Sequence, residues 1–451
     1  MNEMELLGRL RAEVPAGGLS EPAESALLTA IEAEQAGARA VPGSRRPRPR
    51  GARLAGYGRQ GRGWPGWAAP LAAAAAVAAV IVGTPAILSA IHAPAARARG
   101  AGGAIPAIAW VADPHVRTGS VVPIRTATRT ALPRIKAGPD PVAFAVTPDG
   151  KTVYVANERT SSVVPVRIAT RTALPPIRTC CYPRAIAITP DGKTAYVAGM
   201  EYPGTRLGHM VTPMRIASNT ALPPIKVGSI PVAIAITPDG KTAYVADGGS
   251  GTVTPIQTAT GTTLPAITVG PAPMAIAITP DGATAYVTSY GHGRSGWVTP
   301  IRTASNTALA PILTGKTPDA LAITPDGKTV YVVNSSSGTV TPIRTATNTA
   351  LPPIRTGSDP SAIAITPDGA TAYVTNSRSG TVTPIRVASD AALPPVKVGR
   401  SPSAIAITPD GRTAYVANYD SGTVTPIRIA SNTVLRPIKV GGYPSAIMIT
   451  R

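Results

Sequence analysis

The sequence predicts an all-β protein: a β-propeller of eight four-stranded blades, with seven as the alternative, preceded by a helical tail and one transmembrane helix. Three observations predict it. The tetrapeptide TPDG recurs with its Thr at 147, 189, 237, 279, 324, 366 and 408. The spacings are 42, 48, 42, 45, 42 and 42 residues, a period that marks a propeller or a solenoid. Each period holds four short apolar runs, the content of one propeller blade. The chain also carries 49 Pro and 44 Gly in 451 residues, which leaves little room for helix beyond the N-terminus.

The unit is clearest at Ser361 to Asn376, SAIAITPDGATAYVTN. Two runs of β-branched and aromatic residues alternate with Ala and Thr around the turn Thr366-Pro367-Asp368-Gly369. Proline presets the second turn position, Asp hydrogen-bonds nearby backbone, and Gly accepts the exit conformation. The four runs of this unit are Ala362–Thr366, Thr371–Thr375, Thr381–Arg386 and Leu393–Val398. The first has no charge and belongs innermost. The fourth contains Pro394-Pro395, and a residue that cannot donate to a ladder belongs on the outer edge.

The ends of the repeat predict closure. Ser445 to Thr450 reads as an innermost strand with nothing behind it. Ile108 to Asp113 reads as a second strand, with Trp110 in the place of Tyr373. Third and fourth strands follow at Ser120–Arg125 and Leu132–Lys136. The C-terminus supplies what the N-terminus lacks, so seven intact blades and one composite blade make eight.

Tyr373-Val374-Thr375-Asn376 reads YVTN, and the stretches at Tyr154, Tyr331 and Tyr415 are close variants. With TPDG ahead of them, these residues resemble the YVTN-type β-propeller repeat of YncE-like and surface-layer proteins. The resemblance covers about residues 104–451. It implies the fold and an extracytoplasmic binding or surface role; related propellers include lactonases and a lyase.

Residues 1–67 carry two short amphipathic helical patterns and then a Pro/Gly/Arg linker with seven arginines between Arg45 and Arg62. Ala68 to Ile91 follows, 24 residues without a charge, long enough to span a bilayer. Trp64 and Trp67 stand at its entrance. Ala-x-Ala near Ala93 would suit a cleaved signal peptide, but the preceding segment is far too long for one. The expectation is a single-pass anchor with the N-terminus cytoplasmic and the propeller extracellular. Residues 92–103 are a short linker, and 104–451 are the propeller.

The net charge is +20, of which +15 lies in residues 104–451. Nucleic acid is a weak reading and is not expected as a partner, because a stacking platform needs aromatics and few are available. The membrane is one partner. An anionic cell-envelope polymer or an envelope protein is the other. The blander reading is a charge that only keeps a β-rich surface soluble.

An antiparallel meander gathers the TPDG turns at one end of the ring, where one Asp per blade is structural. The irregular loops lie at the opposite end. Blade two enlarges its second-to-third loop with Tyr202, Arg206 and His209; blade four does so with Tyr290, His292, Arg294 and Trp297. Longer loops on a rigid scaffold usually carry binding, and these seven residues are the candidate ligand site. His115, His209 and His292 share that end, but no metal-ligand spacing supports a metal. No catalytic residues and no cofactor are identified. Innermost strands of Ala, Ile, Ser and Thr argue against catalysis. Adjacent Cys180 and Cys181 allow either a strained vicinal disulfide or a free pair. The expected function is a non-enzymatic binding scaffold at the cell envelope. A propeller hydrolase or lyase, and a transmembrane sensor with a cytosolic docking tail, are the alternatives.

Overall fold

The computed structural model describes residues 107–114, 119–200, 209–291 and 295–450. Their strands form eight antiparallel sheets. Seven are continuous in sequence. The eighth runs Thr130–Ala131, Ser120–Arg125, Ile108–Asp113 and then Ala446–Thr450. The eight-blade ring and its composite closure are therefore as expected. The first strands of neighbouring blades pack side by side around the centre.

Blade six shows how the sequence builds a unit. Its strands are Pro360–Ile365, Thr371–Asn376 and Thr381–Arg386, then two short pieces, Ala391–Ala392 and Val396–Lys397. The continuous fourth strand expected at Leu393–Val398 is broken. Pro394 and Pro395 have no N–H to donate, so pairing with the third strand survives only on either side of them. Ala392 faces Ile385 and Val396 faces Val382. The first strand opens on Pro360, two residues earlier than expected, with a register shift before Ala362. Such a bulge suits a leading proline.

The TPDG turn is held by its own side chains. Thr366 Oγ1 donates to Asp368 Oδ1 at 2.5 Å, and the Ala370 amide donates to the same oxygen at 2.9 Å. The Thr371 amide donates to Thr366 Oγ1 at 3.0 Å. These bonds hold the Asp368 carboxyl below its ordinary range, the Thr366 hydroxyl first. Gly369 has φ 72°, and a Cβ there would come 3.3 Å from Pro325 Cδ of the preceding blade's turn. From blade two to blade seven each turn thus nests against its predecessor, and TPDG is structural.

Buried tyrosines tie blade to blade. Tyr373 Oη donates to Asn432 Oδ1 in the next blade at 2.6 Å, and Tyr154 reaches Asn219 in the same way at 2.6 Å. Burial pushes the Tyr373 hydroxyl up to about 12. Where the acceptor position holds Gly261 or Arg129 instead, Tyr196 and Tyr415 donate to the backbone oxygens of Thr258 and Thr126, each at 3.0 Å. Tyr415 thereby links blade seven to the composite blade.

The asparagine that ends the second strand makes a third tie. Asn376 Nδ2 donates to Thr381 Oγ1 at 3.1 Å and Thr383 Oγ1 at 3.0 Å, while its Oδ1 accepts from the Gly357 amide at 3.0 Å. Blade three places Asp247 there, and the composite blade places Asp113, which pairs with Arg134. Among the described residues no helix is long and apolar enough to cross a membrane. The span at 68–91, with the tail and linkers around it, lies outside the described residues.

Candidate functional site

The innermost strands start at the end of the ring opposite the TPDG turns. Their bulged first residues, together with the residues just past each second strand, form the mouth of the central funnel. In blades six and seven the bulged residue is a serine that bonds the next blade. Ser361 Oγ donates to Pro402 O at 3.0 Å, and Ser403 Oγ donates to Pro444 O at 2.9 Å. In blades two and five the same column holds Arg184 and Asp319. The expectation of uncharged innermost strands is corrected here, because the strands begin at their prolines and include this bulge.

Arg184 is buried and its Nη2 lies 2.7 Å from Glu158 Oε1 of blade one. Its Nε has no hydrogen-bond partner. Burial pushes the Glu158 carboxyl up, and Arg184 pulls it back. Asp140, which leads into the first strand of blade one, is raised by burial and lowered by Arg159 and Arg184. A charged cluster therefore bridges blades one and two.

Asp319 repeats this arrangement between blades four and five. The Tyr290 hydroxyl of blade four donates to its carboxylate. Burial pushes Asp319 up to about 7, against a hydrogen bond from Ser335, with Asp359 raising it further.

Between blade seven and the composite blade, Tyr419 takes the column of Glu158 and Tyr290, and it meets Tyr443, which stands just ahead of the leading Pro444. Tyr419 and Tyr443 have ring centroids 5.1 Å apart at an interplanar angle of 34°. They are 39% and 49% exposed, and Leu313 is the other exposed large apolar residue among the described ones. Ser401 donates to Asp420 beside them, and Arg400 Nη2 donates to Asp420 O at 3.3 Å. Burial raises the Tyr419 hydroxyl, and so do Asp420, Tyr443 and Asp140. Exposed, adjacent tyrosines offer large contact area at low entropy cost, and the polar groups beside them can fix orientation.

The residues expected from sequence are placed as follows. His209 Nδ1 accepts from the Ile230 amide at 3.1 Å, and Trp297 Nε1 donates to Val269 O at 3.0 Å. Both hold crossings between blades. Tyr290 reaches Asp319 at the funnel mouth. Tyr202, Arg206, His292 and Arg294 lie outside the described residues, as does His115. Among the described residues no cluster of three or more His, Cys, Asp or Glu side chains could hold a metal ion. Cys180 and Cys181 are not joined by a disulfide. Sequence reasoning missed Arg184, Asp319, Tyr419 and Tyr443. The signal was in the alignment of the repeats, where Arg184 and Asp319 stand in the column of Ser361 and Ser403, Tyr419 in that of Ser335 and Ser377, and Tyr443 in that of Ser401.

Residues 294–450 match the family model described as a YNCE-like beta-propeller. That stretch runs from blade four's third strand to the closing strand and is similar to the YncE-like propellers. No curated protein matches the chain. Among solved structures, hydrazine synthase of Kuenenia stuttgartiensis is similar at 27% identity and TM-score 0.53, covering 65% of this chain and 96% of that one. Dihydro-heme d1 dehydrogenase NirN is similar at 16% identity and TM-score 0.65, covering 78% of this chain and 77% of that one. A functionally unknown protein from Desulfotomaculum acetoxidans is similar at 19% identity and TM-score 0.55, covering 76% of this chain and 98% of that one. The last two likenesses show the fold alone.

Proposed function

We propose that the chain is a non-enzymatic binding propeller, tethered to the cell membrane by residues 68–91 with the propeller outside. Its ligand is an anionic polysaccharide of the envelope, seated at the funnel mouth on Tyr419 and Tyr443. The observation that carries this reading is the paired geometry of these two rings, the exposed aromatics among the described residues. Aromatic faces accept the apolar face of a ring-shaped ligand, while Arg400, Ser401 and Asp420 supply polar edges. The +15 charge of residues 104–451 draws anionic polymer to the surface. The enlarged loops of blades two and four are proposed as an opposite wall. Retention of the protein on purified anionic wall polysaccharide, at low and high salt, tests the reading. Retention that survives high salt supports it, and retention that vanishes with salt would reduce binding to diffuse charge.

A second reading, a hydrolase or lyase on the same scaffold, is favoured by Asp319. A carboxyl raised to about 7 and hydrogen-bonded by Tyr290 has the properties of a general acid or base. Turnover of lactone substrates that is lost in Asp319→Asn would establish it.

A further inference from the structure

Cys180 and Cys181 are the only cysteines in the chain. They lie in the crossing from blade one to blade two, ahead of the strand Tyr182–Ile188. The Cys181 thiol donates to Cys180 Sγ at 3.0 Å. Cys180 is half-buried, Cys181 is buried, and Cys180 Sγ lies 3.1 Å from Thr212 Oγ1. The Cys180 amide donates to that same hydroxyl oxygen at 3.3 Å. The Cys181 hydrogen bond, helped by Thr212 and opposed by burial, pulls the Cys180 thiol down to about 7. A partly exposed cysteine with this much thiolate at neutral pH is a nucleophile, and a second sulfur waits beside it.

We propose that Cys180 and Cys181 form a reversible oxidation site for hydrogen peroxide, with Cys180 attacking and Cys181 resolving. The Cys180 thiolate attacks one peroxide oxygen and the O–O bond breaks. The leaving hydroxide takes up a proton and departs as water, leaving Cys180 as a sulfenic acid. The Cys181 sulfur then displaces the sulfenic hydroxyl. An S–S bond forms, and the hydroxyl leaves with the Cys181 proton as a second water. Two thiols and one peroxide thus give one disulfide and two waters. A disulfide between adjacent residues closes a small strained ring. Strain makes such a bond easy to reduce, and so short a loop adds little unfolded-state restraint. The pair is therefore a labile couple and not a staple. This inference stands independently of the ligand proposed above.

The test uses the full chain and needs no variant to fold. Thiols are titrated before and after one equivalent of hydrogen peroxide, and intact mass is recorded. The expected result is a fall from two thiols to none, a loss of two hydrogens in a monomer, and full return with dithiothreitol. In Cys181→Ser, dimedone should trap the Cys180 sulfenic acid. In Cys180→Ser, reaction should be at least about tenfold slower, because the remaining buried thiol lacks the activation. Two thiols still titrating after peroxide would overturn the proposal. So would a disulfide-linked dimer, or a Cys180 sulfinic acid beside an unreacted Cys181.

Discussion

Trp110 Nε1 donates to Thr450 Oγ1 at 3.1 Å across 340 residues of chain. Trp110 occupies the place where other blades carry the linking tyrosine. The acceptor position it would meet in blade one holds Arg171, which cannot accept a side-chain hydrogen bond. The indole instead ties the two chain ends inside one sheet, where Trp110 pairs with Met448. Closure therefore rests on a strand of five residues, Ala446–Thr450.

Deleting that strand exposes the inner ladder edge of Ile108–Asp113 and removes the buried Ile447 and Met448. Losing two such core side chains costs about 4 kcal/mol or more. Calorimetry should show a large drop in Tm for the deletion. Thr450→Val should cost less, about 1–3 kcal/mol, because it leaves the buried Trp110 indole N–H without its acceptor. Removal of residues 2–39 should leave Tm unchanged, and an equal effect from both truncations would contradict composite closure.

Arg184 and Glu158 are expected to behave as a buried ion pair. Breaking such a pair from one side strands a charge and costs about 3–5 kcal/mol. Arg184→Met should therefore destabilise in urea unfolding, and Glu158→Gln should do so at least as strongly, because it strands the buried Arg184 guanidinium, which cannot lose its charge, whereas a stranded Glu158 carboxyl can take up a proton. The double variant Glu158→Gln/Arg184→Met should recover much of the loss seen in the single variants. Strict additivity of the two single changes would show that the pair is not coupled.

The ring was legible in the sequence because its rules repeat. TPDG fixes one turn type seven times, and alternation fixes which faces are buried. The two chain ends read as complementary halves of one blade. The broken fourth strand was less legible. Pro394-Pro395 announces an edge, but whether pairing resumes on both sides depends on the third strand's length. The funnel mouth was least legible. Arg184 and Asp319 each follow a proline at the head of their strands, which a bulge extends, and apolar periodicity does not report a bulge. Tyr419 and Tyr443 are 24 residues apart and belong to different blades, so their pairing appears only once the ring has closed.

Asp247 should make stability depend on pH. Its carboxyl accepts from Thr254 Oγ1 at 2.6 Å and Thr252 Oγ1 at 3.3 Å, and burial raises it to about 7. The folded state therefore holds this proton more tightly than the unfolded chain, where the carboxyl has its ordinary value near 3.8. Its contribution is fully present below that value, falls as pH rises, and is gone above about 7. The loss is at most about 4 kcal/mol. Asn occupies this position in blades five, six and seven, so Asp247→Asn should fold. The variant should lack the decline between about pH 4 and 7 and should be the more stable protein at pH 8. Identical pH profiles for the two proteins would contradict this assignment.

The binding proposal turns on the tyrosine pair. The most direct measurement is titration calorimetry of a purified anionic wall polysaccharide into three proteins at high salt. These are the parent chain, Tyr419→Ala/Tyr443→Ala, and a form with the blade two and blade four loops trimmed to the length of blade six. Loss of an aromatic anchor of this kind costs about 2 kcal/mol or more, roughly a thirtyfold fall in affinity. The account predicts that fall in the double alanine variant and a smaller one in the trimmed form. Undiminished affinity in a folded double alanine variant would contradict it.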